Sequence, residues 1–391
     1  MLFGREVFVR GERWLFDPSG RLVSPADPAP YDPCWCFSGR KFRFCHMRRH
    51  LESPPTLHDG VALWESTPEL RVCLHPEAPV GCSSKIVDAH AVQRRGEGLQ
   101  GIARSGKVYG VKLHPRFFLK RDMLLEPTLL GISEASTFNG FCDEHDGPLF
   151  RALEARGFTA APEQLFLLNL RCIARRLHSN QQAVRDAELW SNADRGLTPD
   201  DQRRFFIALE SKRETDLNGL ANTQRLKEIY DGRWRTRDFA TNALVVRLHG
   251  TPEIVCSSIV DVEFDFAGKA VAPLVPPAHL CFTMLAAGSG GIAVWSWLGS
   301  NPAADQLVSS FLALPTEVQP QAVLRYALEF LDLLYFAPSW WDALDSTVRS
   351  ALIQRVTAHV QPYWRRKSTA LLNDGVRATH IPSATVEIVC A

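Results

Sequence analysis

The chain has 391 residues, 46% of them hydrophobic and 22% charged, with 44 lysines and arginines against 43 aspartates and glutamates. A formal net charge of +1 excludes a protein drawn to polyanions by its overall charge, and the length accommodates two or three domains with cores of their own. No apolar run reaches the roughly 18 residues of a membrane span, MLFGREVFVRGERW lacks the apolar stretch of a signal peptide, and ten cysteines gathered beside histidines point to metal-bound thiols in a reducing cytoplasm.

Residues 1–33 alternate loosely through Val7, Val9, Trp14 and Phe16, then enter SPADPAPYDP, which reads as a linker. The next segment is CWCFSGRKFRFCH, Cys34 to His46, with three thiols and an imidazole in the order C-x-C-x(8)-C-H. Four such donors in so short a loop match a closed tetrahedral zinc site. Cys34 and Cys36 lie on one arm, Cys45 and His46 on the other, and Ser38-Gly39 supplies the turn. The stretch resembles the SEC-C motif, known from the C-terminal tail of the SecA translocase, whose usual form is PC-x-CGSG+K+K-x-C(C/H). Pro33, Ser38, Gly39, Arg40, Lys41, Phe42, Arg43, Cys45 and His46 fit it, and Phe37 stands where glycine is usual. The resemblance implies a zinc ion and a docking tip for a protein partner.

Residues 47–72 read as short strands and turns, with VALWES and ELRVCL the clearest extended stretches. A second Cys/His region runs from Cys73 to His145 and includes His75, Cys82, His90, His114 and Cys142. Cys142-x-x-His145 opens a predicted helix, which puts two ligands on one side of its first turn. Cys73 and Cys82 flank a Pro- and Gly-containing turn and supply the opposite knuckle of a Cys3His site, with His75 as the reserve ligand.

SSKIVDAHAVQ is a predicted strand carrying Asp88 and His90, and ASTFNGFC places Asn139 three residues before Cys142. This order resembles the HNH nucleases, which are built on a treble clef. The resemblance implies His90 as general base, Asn139 as the central asparagine, and structural zinc on Cys73, Cys82, Cys142 and His145. It also leaves Asp146 or Asp88 to hold Mg2+ or Mn2+ through oxygen. The chain departs from the pattern in the extra Ala89, the long interval from His90 to Asn139, and the lack of a further histidine on the helix. The alternative is that His90 itself completes the zinc tetrahedron. The strings CLHP, DAHAVQ, ASTFNGFCDEHD and SWWDAL together also resemble a group of bacterial proteins of unassigned activity.

Residues 85–121 hold Lys85, Arg94, Arg95, Arg104, Lys107, Lys112, Arg116, Lys120 and Arg121 against Asp88 and Glu97, a local excess suited to phosphate. From Pro148 to Trp234 the pattern is helical, and Thr198-Pro199-Asp200 marks the start of the second arm of a helical hairpin whose turn lies near 192–197. Residues 238–300 carry β-branched and aromatic runs that read as a small antiparallel sheet. Helices return from Ala304 to Val360, with AVLRYALEFLDLLYF and WWDALDSTVRSALIQRVTAHV separated at Pro338, and TVEIVCA is a terminal strand. Cys172, Cys256 and Cys281 fall in apolar runs and read as core, as does the Trp340-Trp341 pair. AAGSGGIAV is followed by no Gly-Lys-Ser/Thr, and no nucleophile elbow is present.

The expectation is an α+β chain with a SEC-C zinc loop in 1–50, a treble-clef (HNH-like) module in 51–150, a helical hairpin in 151–235 and a C-terminal α+β domain in 236–391. We expect a cytoplasmic bacterial protein with one or two Zn2+ ions that engages nucleic acid or a nucleoprotein through the basic 85–121 region. The alternatives are a metal-dependent HNH-like endonuclease, acting in defence against foreign DNA, and a non-enzymatic scaffold docking through the SEC-C loop.

Overall fold

The computed structural model describes residues 6–10, 12–15, 27–94, 96–111, 124–155, 157–272, 279–287, 290–330, 333–358, 366–376 and 378–391. The fold is α+β, with antiparallel strands and helices interleaved along the chain. It divides into two compact units, neither of them continuous in sequence. One comprises residues 1–69 and 180–221, the other 70–179 and 222–391. No helix among the described residues is long and apolar enough to cross a membrane.

The first unit contains the ribbon of β1 (Glu6–Val9) and β2 (Glu12–Leu15), the Cys34–His46 loop, and helix α1 (Leu57–Ser66). α1 overturns the extended reading of VALWES. The Thr56 hydroxyl accepts from the Asp59 N–H at 3.1 Å while the Asp59 carboxylate accepts from the Thr56 N–H at 2.8 Å. This capping box satisfies donors at the helix start and nucleates a helix over residues whose composition alone suits a strand. Two long helices, α4 (Pro162–Asp186) and α5 (Pro199–Thr236), have residues in both units. α5 begins at the expected place, with the Thr198 hydroxyl accepting from the Asp201 N–H. The small core of this unit gathers Cys34, Trp35 and Phe42 from the loop with Phe206 and Ile207 of α5.

In the second unit β3 (Ile86–His90) and β6 (Thr137–Cys142) form a two-stranded antiparallel ribbon with a bulge at Asp88; the short helix α2 (Leu99–Ile102) follows β3, and α3 (Asp143–Glu154) packs on the ribbon through Phe141 and Phe150. ELRVCL is not a strand of its own. It runs extended beside β6, where Val72 and Leu74 donate to the carbonyls of Asn139 and Gly140.

Among the described residues the main sheet has eight strands. β7 (Asn242–Leu248), β8 (Ile254–Val260), β9 (Leu280–Ala287) and β10 (Gly290–Trp297) come from the expected region. They are joined by β4 (Lys107–Gly110), β5 (Thr128–Gly131), β11 (Leu334–Phe336) and β12 (Ala384–Val389) in the order β12-β7-β10-β9-β8-β11-β4-β5. β12 is the expected terminal strand. β11 corrects the helix drawn through Phe336, since α7 (Gln319–Phe330) ends earlier and Leu334–Phe336 pair with both β8 and β4. Pairing on two sides buries this aromatic segment more completely than one helical face could.

α6 (Pro302–Leu312) precedes α7. The segment after Pro338 is two helices, α8 (Pro338–Ala343) and α9 (Ser346–Ala358), with Asp345 accepting from the Thr347 N–H at the second start. Cys172, Cys256, Cys281, Trp340 and Trp341 are all buried in this unit.

Candidate metal centres

The loop from Cys34 to His46 folds back on itself because Ser38-Gly39 reverses the chain. Pro33 bridges Lys41, and the Cys34 N–H donates to the Arg40 carbonyl at 2.9 Å. Gly39 sits at φ +74° with no atom near an added Cβ. Gly39→Ala is therefore expected to lower stability by roughly 1–2 kcal/mol through backbone strain alone, with zinc content unchanged; equal thermal stability would contradict that origin. Phe37, also left-handed at φ +55°, keeps its side chain because the ring packs 6.1 Å from Phe206.

The reversal brings Cys34, Cys36, Cys45 and His46 together, with their ligating atoms all within 4.8 Å of one another. The Cys36 and Cys45 sulfurs are 3.5 Å apart, and His46 Nδ1 lies 3.2 Å from the sulfurs of Cys34 and Cys45. In a tetrahedron with usual zinc bond lengths the corresponding edges are about 3.8 Å for S···S and about 3.6 Å for S···N. A disulfide would need about 2 Å. The cluster is slightly tighter than a loaded site and far too open for a disulfide, so the four donors could hold one zinc ion.

Two groups outside the loop complete this centre. His46 Nε2 donates to Asp194 Oδ2 at 2.8 Å, which leaves Nδ1 for the metal, and Arg49 Nε donates to Asp194 Oδ1 at 2.7 Å. Arg49 also reaches the Ser191 carbonyl and Asn192. A carboxylate behind a ligating histidine fixes its tautomer and raises its basicity. Burial opposes charge on His46, but the hydrogen bonds it makes to Asp194, Cys36 and Cys45 outweigh it and push its pKa up to about 11. Hydrogen bonds from Cys34 and Cys45 hold Cys36 far below the usual thiol range, while Cys34 is pushed up by its hydrogen bonds with Cys36 and Cys45 and by burial. Surroundings that favour an imidazolium and a thiolate also favour a divalent cation.

The second cluster is Cys73, Cys82, Cys142 and His145, again with ligating atoms within 4.8 Å of one another. Cys73 and Cys142 sulfurs are 3.7 Å apart, and His145 Nδ1 is 3.5, 3.5 and 3.4 Å from Cys73, Cys82 and Cys142. These match the tetrahedral edges within about 0.2 Å. Cys142 is the N-cap of α3, and His145 lies on its first turn. Burial works against the Cys142 thiolate, yet the backbone N–H groups of Ser83 and His145 and the Cys73 thiol lower its pKa overall. The helix N-terminus favours the same anion. Gly81 at φ +70° gives the turn before Cys82 and leaves room for His145, whose Nε2 would lie 3.4 Å from a Cβ there.

His75 is not a member of this cluster. Its ring stacks on His145 at 3.9 Å and 7°, and its Nδ1 accepts from the Glu77 N–H. Burial first, then the charges of His145 and Lys227, lower its pKa to about 4, so it remains a neutral wall beside the ligand.

His90 ends β3 half-buried, and its Nε2 donates to the Ile132 carbonyl at 3.2 Å, so it is not among the converging donors. Burial lowers its pKa, partly offset by that bond. Asn139 is 4% exposed, and its side-chain oxygen has no hydrogen-bond partner among the described residues. Asp88 is exposed at the bulge, and Asp146 is half-buried with a pKa raised by burial. Neither joins a third metal-holding cluster among the described residues. Of the basic run, Lys85, Arg94, Arg104 and Lys107 are exposed, whereas Arg95, Lys112, Arg116, Lys120 and Arg121, with His114, lie outside the described residues.

Sequence reasoning missed Asp194, Arg49 and the buried Lys227–Asp231 pair, whose ammonium lies near Cys73. None carries a motif that would have marked it. Comparison with protein-family models, with curated proteins and with solved structures gives no match.

Proposed function

We propose that the chain is a zinc-stabilised protein that engages nucleic acid, binding through phosphate contacts. The observation that carries this reading is the state of three basic residues of the 85–121 region, Arg94, Arg104 and Lys107. Arg104 and Lys107 form a mutual antiparallel bridge, each N–H donating to the other's carbonyl at 3.0 Å, so their side chains leave the same side of a tight turn. With Arg94 they are exposed, and among the described residues no carboxylate lies within ion-pair range of any of the three. Lys85, by contrast, is already paired with Asp143 at 3.4 Å. Cations held at a surface without counter-ions suit a polyanion, which releases its own counter-ions on binding.

The test is binding of labelled duplex and single-stranded DNA and RNA to the zinc-loaded chain between about 50 and 200 mM salt. Affinity is expected to fall steeply across that range, and Arg94→Glu/Arg104→Glu/Lys107→Glu to weaken it at all salt concentrations. Absence of binding at low salt would sink the reading.

An HNH-like endonuclease is a second reading, favoured by the strand–strand–helix order of β3, β6 and α3 with His90 at the end of the first strand. Cleavage in Mg2+ or Mn2+ that disappears in His90→Ala, with zinc retained, would establish it.

A further inference from the structure

Four exposed cations lie in the first metal loop or just after it. Arg40, Lys41, Arg43 and Arg48 all face solvent, and among the described residues none has a carboxylate within ion-pair range. Arg49 differs, being committed to Asp194. Two large aromatic side chains lie among the four. Tyr31 is 58% exposed, with Lys41 Nζ and the Arg43 guanidinium each 5.5 Å from its ring centre and Arg43 Nη1 donating to its hydroxyl at 2.7 Å. Phe44, next to Arg43, is 67% exposed. The loop backbone sets this arrangement, since Phe42 and Arg43 donate to the carbonyls of Asp32 and Pro30 and so hold the Tyr31 segment against the arm that carries the cations.

An exposed aromatic ring loses free energy by standing in water, and an unpaired guanidinium cluster repels itself. One ligand class relieves both. Single-stranded nucleic acid offers phosphates to forked arginine donors and flat bases to the rings, whereas a duplex keeps its bases stacked inside. We infer that the face formed by Tyr31, Arg40, Lys41, Arg43, Phe44 and Arg48 is a binding surface for single-stranded nucleic acid. The proposal rests on the nucleic-acid reading above and assigns it a second, separate surface.

The test uses the full zinc-loaded chain with labelled oligothymidine and oligouridine of about 16 nucleotides, a duplex of the same length, and polyglutamate as competitor. Single strands are expected to bind more tightly than duplex. Tyr31→Ala/Phe44→Ala should weaken them about tenfold or more while duplex affinity and zinc content stay unchanged. Lys41→Glu/Arg48→Glu, at exposed positions that are not themselves ligands, should lower the salt dependence of single-strand binding with zinc content unchanged. Preference for oligouridine or for oligothymidine would identify RNA or DNA as the source. Variants that bind single strands like the parent overturn the proposal. So does polyglutamate that displaces the oligonucleotides at equal charge, which would indicate an acidic protein partner. If the Arg94/Arg104/Lys107 variant alone loses binding, this surface fails and the broader reading stands; if the parent binds nothing, both fail.

Discussion

Cys142→Ser is expected to remove one of two zinc ions and to lower the stability of the second unit by several kcal/mol, because binding energy at a structural zinc is folding energy. Cys142 is fully buried at the N-cap of α3, and its sulfur faces Cys73 and His145 at near-tetrahedral spacing. Serine is nearly isosteric and is itself a favoured N-cap residue. The substitution therefore leaves the helix start intact, and the loss reports the metal. A control separates the two. After chelation, parent and variant should melt within about 1 kcal/mol of each other, the scale of a cap substitution, whereas with zinc they should differ widely. Metal content by mass spectrometry and denaturant unfolding are the measurements. A variant with two zincs and an unchanged midpoint would show that these thiols are simply core.

The clusters were legible in the sequence to the degree that their ligands are local. Cys34, Cys36, Cys45 and His46 fall within one loop, and Cys142-x-x-His145 within one helical turn, so spacing alone brings the donors together. Joining Cys73 and Cys82 to Cys142 and His145 needed donor chemistry as well, since β6 and the extended segment beside it bring distant residues together. The α+β class was legible from the alternation of helical and β-branched runs. The edges of that picture were not. VALWES became a helix because Thr56 and Asp59 cap it, and LYF became a strand because β8 and β4 offer partners on both sides. β4 and β5 belong to the main sheet although they lie between the two strands of the β3–β6 ribbon in sequence. Such choices depend on pairing with remote segments, which local periodicity does not record.

The least legible group is Asp194, 148 residues from the histidine it supports, and it has the largest expected effect in the first unit. Its side chain is 4% exposed, between His46 and an Arg49 that is 11% exposed. Burial alone would raise its pKa, but hydrogen bonds and charges from His46 and Arg49 outweigh it and hold the pKa below the ordinary value. The carboxylate is therefore charged, and its contribution is present above the unfolded pKa near 3.9 and lost as pH falls through the lower folded value.

Asp194→Asn keeps the volume and removes the charge, leaving the Arg49 guanidinium without its counter-ion and His46 Nε2 with only a neutral acceptor. Breaking one side of a buried ion pair costs about 3–5 kcal/mol, and loss of a carboxylate behind a ligating histidine weakens metal binding about 10- to 100-fold. Under chelator competition the variant should release the first zinc while the Cys73/Cys82/Cys142/His145 ion stays bound. An Asp194→Glu variant should restore part of the affinity, because it retains the charge at a displaced position. If Asp194→Asn holds both ions as tightly as the parent, the carboxylate charge gives His46 no support as a metal ligand.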